Sequence, residues 1–316
     1  MPPRPTVSQM QEPIQRNAPA HLRAGKRDTS WVVTETIVET RMKNAAAAYS
    51  NSGTGEPVLL LHCSCASSAA WDSLCDALDE DFRVIAPDQW GCGESDPWTG
   101  QGEFDLAREA APILDITGRI GTAVHLVGHS YGGGVALRVA RERPDLIRSL
   151  TLIEPSAFHL LRSGDLDDQI LFREISSVAD TVREGVLSGD YWGGMARFVD
   201  YWNGKGTWDS MPQKARIKLG KSLSKVVLDF HALFEEPARL EDYGALSIPT
   251  LLLCGDRSPA PSCRIVEMLA STMAHARVVQ IQDAAHMSPF THSDAVNAAI
   301  GAHLRQHRVA ITHWAA

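Results

Sequence analysis

Residues 123–132 read Ala-Val-His-Leu-Val-Gly-His-Ser-Tyr-Gly. The apolar run 123–127 has the length and composition of a strand, and 131–143 has the pattern of a helix that Pro144 stops. Between them lies Gly128-His129-Ser130-Tyr131-Gly132, a G-x-S-x-G sequence in the strand-to-helix setting that this motif requires. A serine on so tight a turn has a strained backbone, and the flanking glycines remove Cβ atoms that would collide there. The turn lifts the hydroxyl clear of the sheet, beside the start of the next helix. There the helix dipole and free backbone N–H groups favour a developing anion. Ser130 is therefore the candidate nucleophile.

Working outward, the same alternation repeats. Residues 58–61 (VLLL) form a short all-apolar run, as expected of a strand buried on both faces of a parallel sheet. Helical patterns follow at 69–78 and 104–119, with a strand at 83–86 between them. Beyond the central turn come a strand at 149–153, then one at 250–254, a helix at 263–270, a strand at 277–281 and a helix at 294–305. Residues 31–41 and 44–50 read as further strands near the start. Strands alternating with helices predict an α/β fold, a mostly parallel sheet with helices on both faces. The alternation pauses over 156–243, which is helix-like throughout. The expected organisation is a core over 31–155 and 244–316 interrupted by a helical insertion over 156–243. Residues 1–30, with prolines at 2, 3, 5, 13 and 19, read as a disordered extension.

Thirty basic against thirty-eight acidic side chains give a net charge of −8, which argues against nucleic acid as a partner. The longest apolar runs fall far short of the roughly 20 residues a membrane-spanning helix needs. The first thirty residues contain no apolar core of a secretory signal. Six cysteines in a long chain without export features are expected to be reduced thiols in a cytoplasm. Cys63 and Cys65 form a C-x-C with no second pair at zinc-site spacing, so no metal and no cofactor are expected. The expected partner is a small molecule.

A serine hydroxyl needs a base. Of twelve histidines, His286 follows the strand 277–281 and precedes the last helix. That places it at the carboxyl end of a strand, on the sheet edge where Ser130 lies. His125 and His129 are nearer in sequence but read as packing residues, and His292 is a lesser competitor.

With the nucleophile before the histidine in chain order, these motifs resemble the serine hydrolases of the α/β-hydrolase fold, over about residues 31–304. The resemblance implies an eight-stranded sheet, with the helical cap inserted between strands 6 and 7. His62-Cys63-Ser64 resembles that family's His-Gly-x loop, and Asp88-Gln89-Trp90-Gly91-Cys92-Gly93-Glu94-Ser95 its D-x-x-G-x-G-x-S turn. The analogy implies that backbone N–H groups of Ser64 and Tyr131 form an oxyanion hole, with His62 and Asp88 holding loops. Cys63 stands where the family often has glycine. The family's usual acid position, three residues after Gly255, is Ser258, which carries no charge. Glu154, at the end of strand 149–153, and Asp256 are the two substitutes.

The insertion concentrates aromatic residues, with Trp192, Trp202 and Trp208 among the chain's eight tryptophans. Residues 198–204 (FVDYWNG) resemble a stretch in a group of capped bacterial hydrolases. Trp192, Tyr201 and Trp202, together with Cys63, are the expected substrate contacts. The resemblance implies hydrolysis of a carboxylic ester, thioester or lactone of modest size. C–C bond hydrolysis and acyl transfer use the same triad, and a weakly catalytic ligand-binding protein is the reading from another class. Relatives that open epoxides or displace halide use an aspartate nucleophile, which Ser130 is not.

Overall fold

The all-apolar runs form the centre of one sheet, and the loops leaving it carry the candidate residues. The structure is a computed structural model and describes residues 40–42, 45–100 and 102–309. The expected extension over 1–30 and most of the strand expected over 31–41 lie outside these residues. β1 (Thr40–Met42) and β2 (Ala45–Ala47) form an antiparallel pair. β3 (Tyr49–Gly53), β4 (Glu56–Leu61), β5 (Phe82–Pro87), β6 (Val124–His129), β7 (Ile147–Ile153), β8 (Thr250–Gly255) and β9 (Ala276–Ile281) form a seven-stranded sheet. Its order is β3-β5-β4-β6-β7-β8-β9, with only β3 antiparallel to its neighbour.

The expected count of eight strands is thus corrected to seven among the described residues, because the most N-terminal segment pairs separately as β1 and β2. The helical insertion lies between β7 and β8, the fifth and sixth strands of this sheet in chain order rather than the sixth and seventh.

Every residue of β6 and β8 is buried, as expected of central parallel strands covered on both sides. Side chains alternate between two cores. Val58 and Leu60 meet Leu74 and Leu78 of one helix and Val296, Ile300 and Leu304 of another. Leu59 and Leu61 face the opposite layer, with Ile113 of Leu106–Ile120 and Val135 and Val139 of Tyr131–Glu142. After β4 the chain turns to β5 on one side, then crosses back to β6 on the other. The loops leaving β4 and β6 therefore part at the point where the winding reverses, where sheets of this kind leave a crevice.

The insertion contains the helices Leu166–Ser188, Tyr191–Asn203, Gln213–Gly220 and Leu223–Phe234, with three shorter ones. Met195, Val199 and Trp202 form the buried face of Tyr191–Asn203, at helical spacing. Among the described residues, no helix is long and apolar enough to cross a membrane.

Candidate active site

Ser130 sits between β6 and the helix Tyr131–Glu142 at φ 54°, ψ −117°, a backbone conformation that side chains rarely adopt. The surroundings hold it there. Its N–H donates to Ile153 O at 3.0 Å, and its carbonyl accepts from Gly133 and Ser156 at 2.9 and 3.0 Å. A Cβ on Gly128 would lie 2.4 Å from Gly132 O, and one on Gly132 would lie 2.2 Å from Leu61 O. The two glycines therefore let the helix start press against both the turn and the end of β4.

His286 follows β9 and Glu154 follows β7. The Ser130 Oγ lies 2.8 Å from His286 Nε2, and His286 Nδ1 lies 2.7 Å from Glu154 Oε2. The carboxylate accepts from Nδ1–H, which leaves Nε2 as the acceptor for the serine proton. Glu154 is fully buried. Its other oxygen accepts from Gly255 N–H at 2.9 Å and from the Ser258 hydroxyl at 2.6 Å. Burial alone would raise the Glu154 pKa. The hydrogen bond and charge of His286, together with the Gly255 and Ser258 donors, outweigh it and hold the pKa below its ordinary value.

Ser258, at the position where the family usually carries its acid, thus braces the carboxylate that reaches His286 from the neighbouring strand. Asp256 is not brought to His286. Gly255 closes β8 and donates to Glu154, and the next residue, Asp256, donates its N–H to Ile281 O while its side chain is exposed. Among the other histidines, burial and the neighbouring His286 push the His129 pKa down to about 3, and its Nε2–H donates to His286 O at 2.9 Å. His125 bonds Ser149 at 2.7 Å from the first half of β6, and His292 bonds Thr291 at 2.8 Å.

Tyr131 begins its helix, where first-turn N–H groups have no acceptor within the helix. Ser64 lies in the loop after β4. His62 fastens that loop, donating from Nδ1 to Cys63 O at 2.8 Å and accepting the Gln89 N–H on Nε2 at 3.1 Å. Asp88 accepts from Ser68 and Glu94 N–H groups at 2.6 and 2.8 Å, which secures the adjoining turn.

A buried ionic cluster joins the side chains of Ser64 and Tyr131 to the insertion. Lys225 of Leu223–Phe234 pairs with Asp229 one turn along and with Glu109 of the core at 3.1 Å. Asp229 accepts from the Ser64 hydroxyl at 2.7 Å, and Glu109 accepts from the Tyr131 hydroxyl at 2.8 Å and from Trp90 N–H at 2.9 Å. Burial raises the Asp229 pKa despite the adjacent ammonium. Desolvation disfavours the charged Lys225, but the two carboxylates outweigh it and raise its pKa. Removing one member of a buried ion cluster strands its partners, at a cost of about 3–5 kcal/mol. Lys225→Met is therefore expected to lower Tm by roughly 10 °C in a thermal unfolding scan. An unchanged Tm would show that the ammonium compensates neither carboxylate.

A cavity of about 400 Å³ opens over Ser130 and His286. Its walls include Cys63 and Trp202, and the Trp202 ring lies over the His286 imidazole with centroids 4.1 Å apart and a 31° tilt. The other two expected contacts are corrected. Tyr201 is adjacent to Trp202, so it leaves the helix about 100° away and bonds Glu174 of Leu166–Ser188 at 2.8 Å. Trp192, on the first turn of its helix, is half exposed and packs edge-on against Trp208, outside the cavity. Phe198 and Val199 line the cavity, as do Met211 and Phe290. The first two lie four and three residues before Trp202 and so share its helical face, and that spacing is the signal that identifies them. Among the described residues, no group of three or more His, Cys, Asp or Glu side chains is placed to hold a metal ion.

The arrangement can move a proton from a hydroxyl to an imidazole while a buried carboxylate stabilises the resulting imidazolium. Comparison with known proteins gives the setting. The model of the alpha/beta hydrolase fold family matches residues 56–293. A soluble epoxide hydrolase from Corynebacterium sp. is 35% identical over 119 residues, covering 37% of this chain and 40% of that protein. The chain thus spans less than half the length of that relative. An (E)-2-((N-methylformamido)methylene)succinate hydrolase from Acinetobacter baylyi is 23% identical over 83% of this chain and 95% of that protein. A hydrolase structure from Pseudomonas aeruginosa superposes with a TM-score of 0.68 at 21% identity, over 85% of this chain and 98% of that one.

Proposed function

The chain belongs to the alpha/beta hydrolase fold family, and from that premise we propose that it cleaves a small to medium, uncharged carboxylic ester, thioester or lactone through an acyl-enzyme on Ser130. The carrying observation is the continuous hydrogen-bonded line Ser130–His286–Glu154, closed to water on the Glu154 side and open to an apolar cavity on the serine side. Among the described residues, no Lys, Arg, Asp or Glu lines the 400 Å³ cavity. A carboxylate-bearing substrate, such as the name of the Acinetobacter relative describes, would find no cation there. The Corynebacterium relative's name describes epoxide opening. A serine attacking an epoxide carbon would leave an ether, which water does not readily cleave, whereas an ester of serine turns over.

In the proposed reaction, the Ser130 Oγ bonds to the carbonyl carbon as its proton passes to His286 Nε2. The carbonyl oxygen becomes an anion facing the N–H groups of Tyr131 and Ser64. The bond from carbon to the leaving oxygen (or sulfur) breaks, and that atom takes the proton from Nε2. Water then attacks the acyl-enzyme, giving its proton to Nε2. Collapse returns that proton to Oγ and releases the acid. Glu154 stays ionised throughout and holds the imidazole in the required tautomer. The helices of the insertion would act as a cap that limits water and selects the substrate.

The test is covalent. A fluorophosphonate probe should label the purified protein stoichiometrically, with mass spectrometry placing the adduct on the peptide carrying Ser130. Short p-nitrophenyl esters should be hydrolysed, and the labelled protein should be inactive. A folded protein that neither takes the probe nor cleaves these esters would overturn the proposal in favour of a ligand-binding role.

A further inference from the structure

We propose that the site selects esters with a very short acyl group, acetyl in size, joined to a bulky, apolar, uncharged alcohol. This rests on the serine hydrolase reading above and deepens it. Two spaces of very different size meet at the candidate nucleophile. Both have Ser64, Ser130, Phe198 and Trp202 in their walls. The larger, of about 400 Å³, includes His286. The smaller, of about 10 Å³, is walled beyond these by Ser156, Phe158, Val226, Asp229, Phe230 and Leu233, and His286 is not among its lining residues. A volume of that order holds about one water-sized group.

Chemistry decides which part of an ester enters which space. The leaving oxygen must receive the proton held on His286 Nε2, so it sits on the imidazole side and the alcohol extends into the larger cavity. The carbonyl oxygen is turned toward Tyr131 and Ser64. The remaining substituent on the carbonyl carbon, the acyl chain, is left with the smaller space. Deacylation follows the same constraint. The attacking water must reach Nε2, and the departed alcohol opens that route through the larger cavity.

The walls of the smaller space belong to the core and are not free to yield. Phe158, Phe230 and Leu233 are buried, with Phe158 and Phe230 stacked at 6.4 Å. Ser156, also buried, places its hydroxyl 3.3 Å from the Ser130 Oγ. Each methylene beyond acetyl would have to displace packed side chains, which interiors resist. Two extra methylenes are expected to cost about 10- to 100-fold in kcat/KM.

The experiment uses the full-length protein and a matrix of esters: p-nitrophenyl acetate, butanoate and octanoate, and methyl against 1-naphthyl acetate. The expected result is acetate over butanoate by ~10-fold or more, octanoate slower still, and naphthyl acetate faster than methyl acetate beyond the difference in their spontaneous hydrolysis. Leu233→Ala and Phe230→Ala enlarge the smaller space, and either should raise the butanoate-to-acetate ratio by ~10-fold. Should both variants fail to fold, the wild-type chain-length profile decides alone. Butanoate or octanoate turned over as fast as acetate, with Ser130 labelled by the fluorophosphonate, would overturn this inference and leave the serine hydrolase reading standing. An unmoved ratio in folded variants would do the same. A protein that is neither labelled nor hydrolytic would overturn both.

Discussion

Ser130→Ala is expected to abolish turnover, lowering kcat on a p-nitrophenyl ester by about 10⁴- to 10⁶-fold. The loss follows from the geometry, because His286 Nε2 has the Ser130 hydroxyl at 2.8 Å as its acceptor-side partner. Without it the imidazole has only water to activate, and no acyl-enzyme can form. Ser156 does not replace it, since its hydroxyl pairs with Ser130 at 3.3 Å and no bond joins it to His286. The fold should survive the change, as the turn is held by a backbone hydrogen bond to Ile153 and by those from Gly133 and Ser156, all of which alanine keeps. The measurements are steady-state hydrolysis and a thermal scan of the same preparation. Residual activity within tenfold of wild type would move the nucleophile elsewhere.

Glu154→Gln is expected to lower kcat by about 10⁴-fold, whereas Asp256→Asn should change it less than about twofold. A glutamine must satisfy Gly255 N–H and the Ser258 hydroxyl with its carbonyl oxygen. That turns its amide N–H₂ toward His286 Nδ1 and favours the tautomer with the proton on Nε2, where it blocks transfer from Ser130. The same pair gives a stability signature. The Glu154 pKa is lowered in the folded state, so its stabilising contribution is present above the ordinary glutamate range and is lost as pH falls through the lowered value. The gap in Tm between wild type and Glu154→Gln should therefore narrow in acid. An equal loss of activity in Asp256→Asn would assign the acid role to the exposed carboxylate instead.

Much of this was legible in the sequence because period and turn chemistry are local. The all-apolar run at 58–61 and the glycine-flanked serine at 130 both mark their own structure. The position of His286 after a strand required only the order of elements. The acid was harder. Glu154 and Asp256 each end a central strand, and only the pairing of β7 with β8 makes Ser258 a donor to Glu154. The strand count erred where the first described segments pair with each other as β1 and β2 rather than joining the sheet. The aromatic contacts of the insertion divided by angle. An aromatic count treats Tyr201 and Trp202 alike, but one helical step sends the first to Glu174 and the second over His286. The cluster of Lys225, Asp229 and Glu109 joins residues more than a hundred positions apart, and no spacing rule reaches that far.

That cluster bears on how far the molecule can be rebuilt. β7 and β8 are paired neighbours although the whole helical insertion is threaded between Ile153 and Thr250. Closing a long loop depends only logarithmically on its length, about 0.6 kcal/mol for each doubling. An exchange of this segment for a longer or shorter one should thus be tolerated by the sheet. Its content is another matter, because Asp229 holds the Ser64 side chain and Lys225 offsets Glu109 beneath Tyr131. A chimera that borrows a foreign insertion must carry this lysine and aspartate, one helical turn apart, as its docking plug.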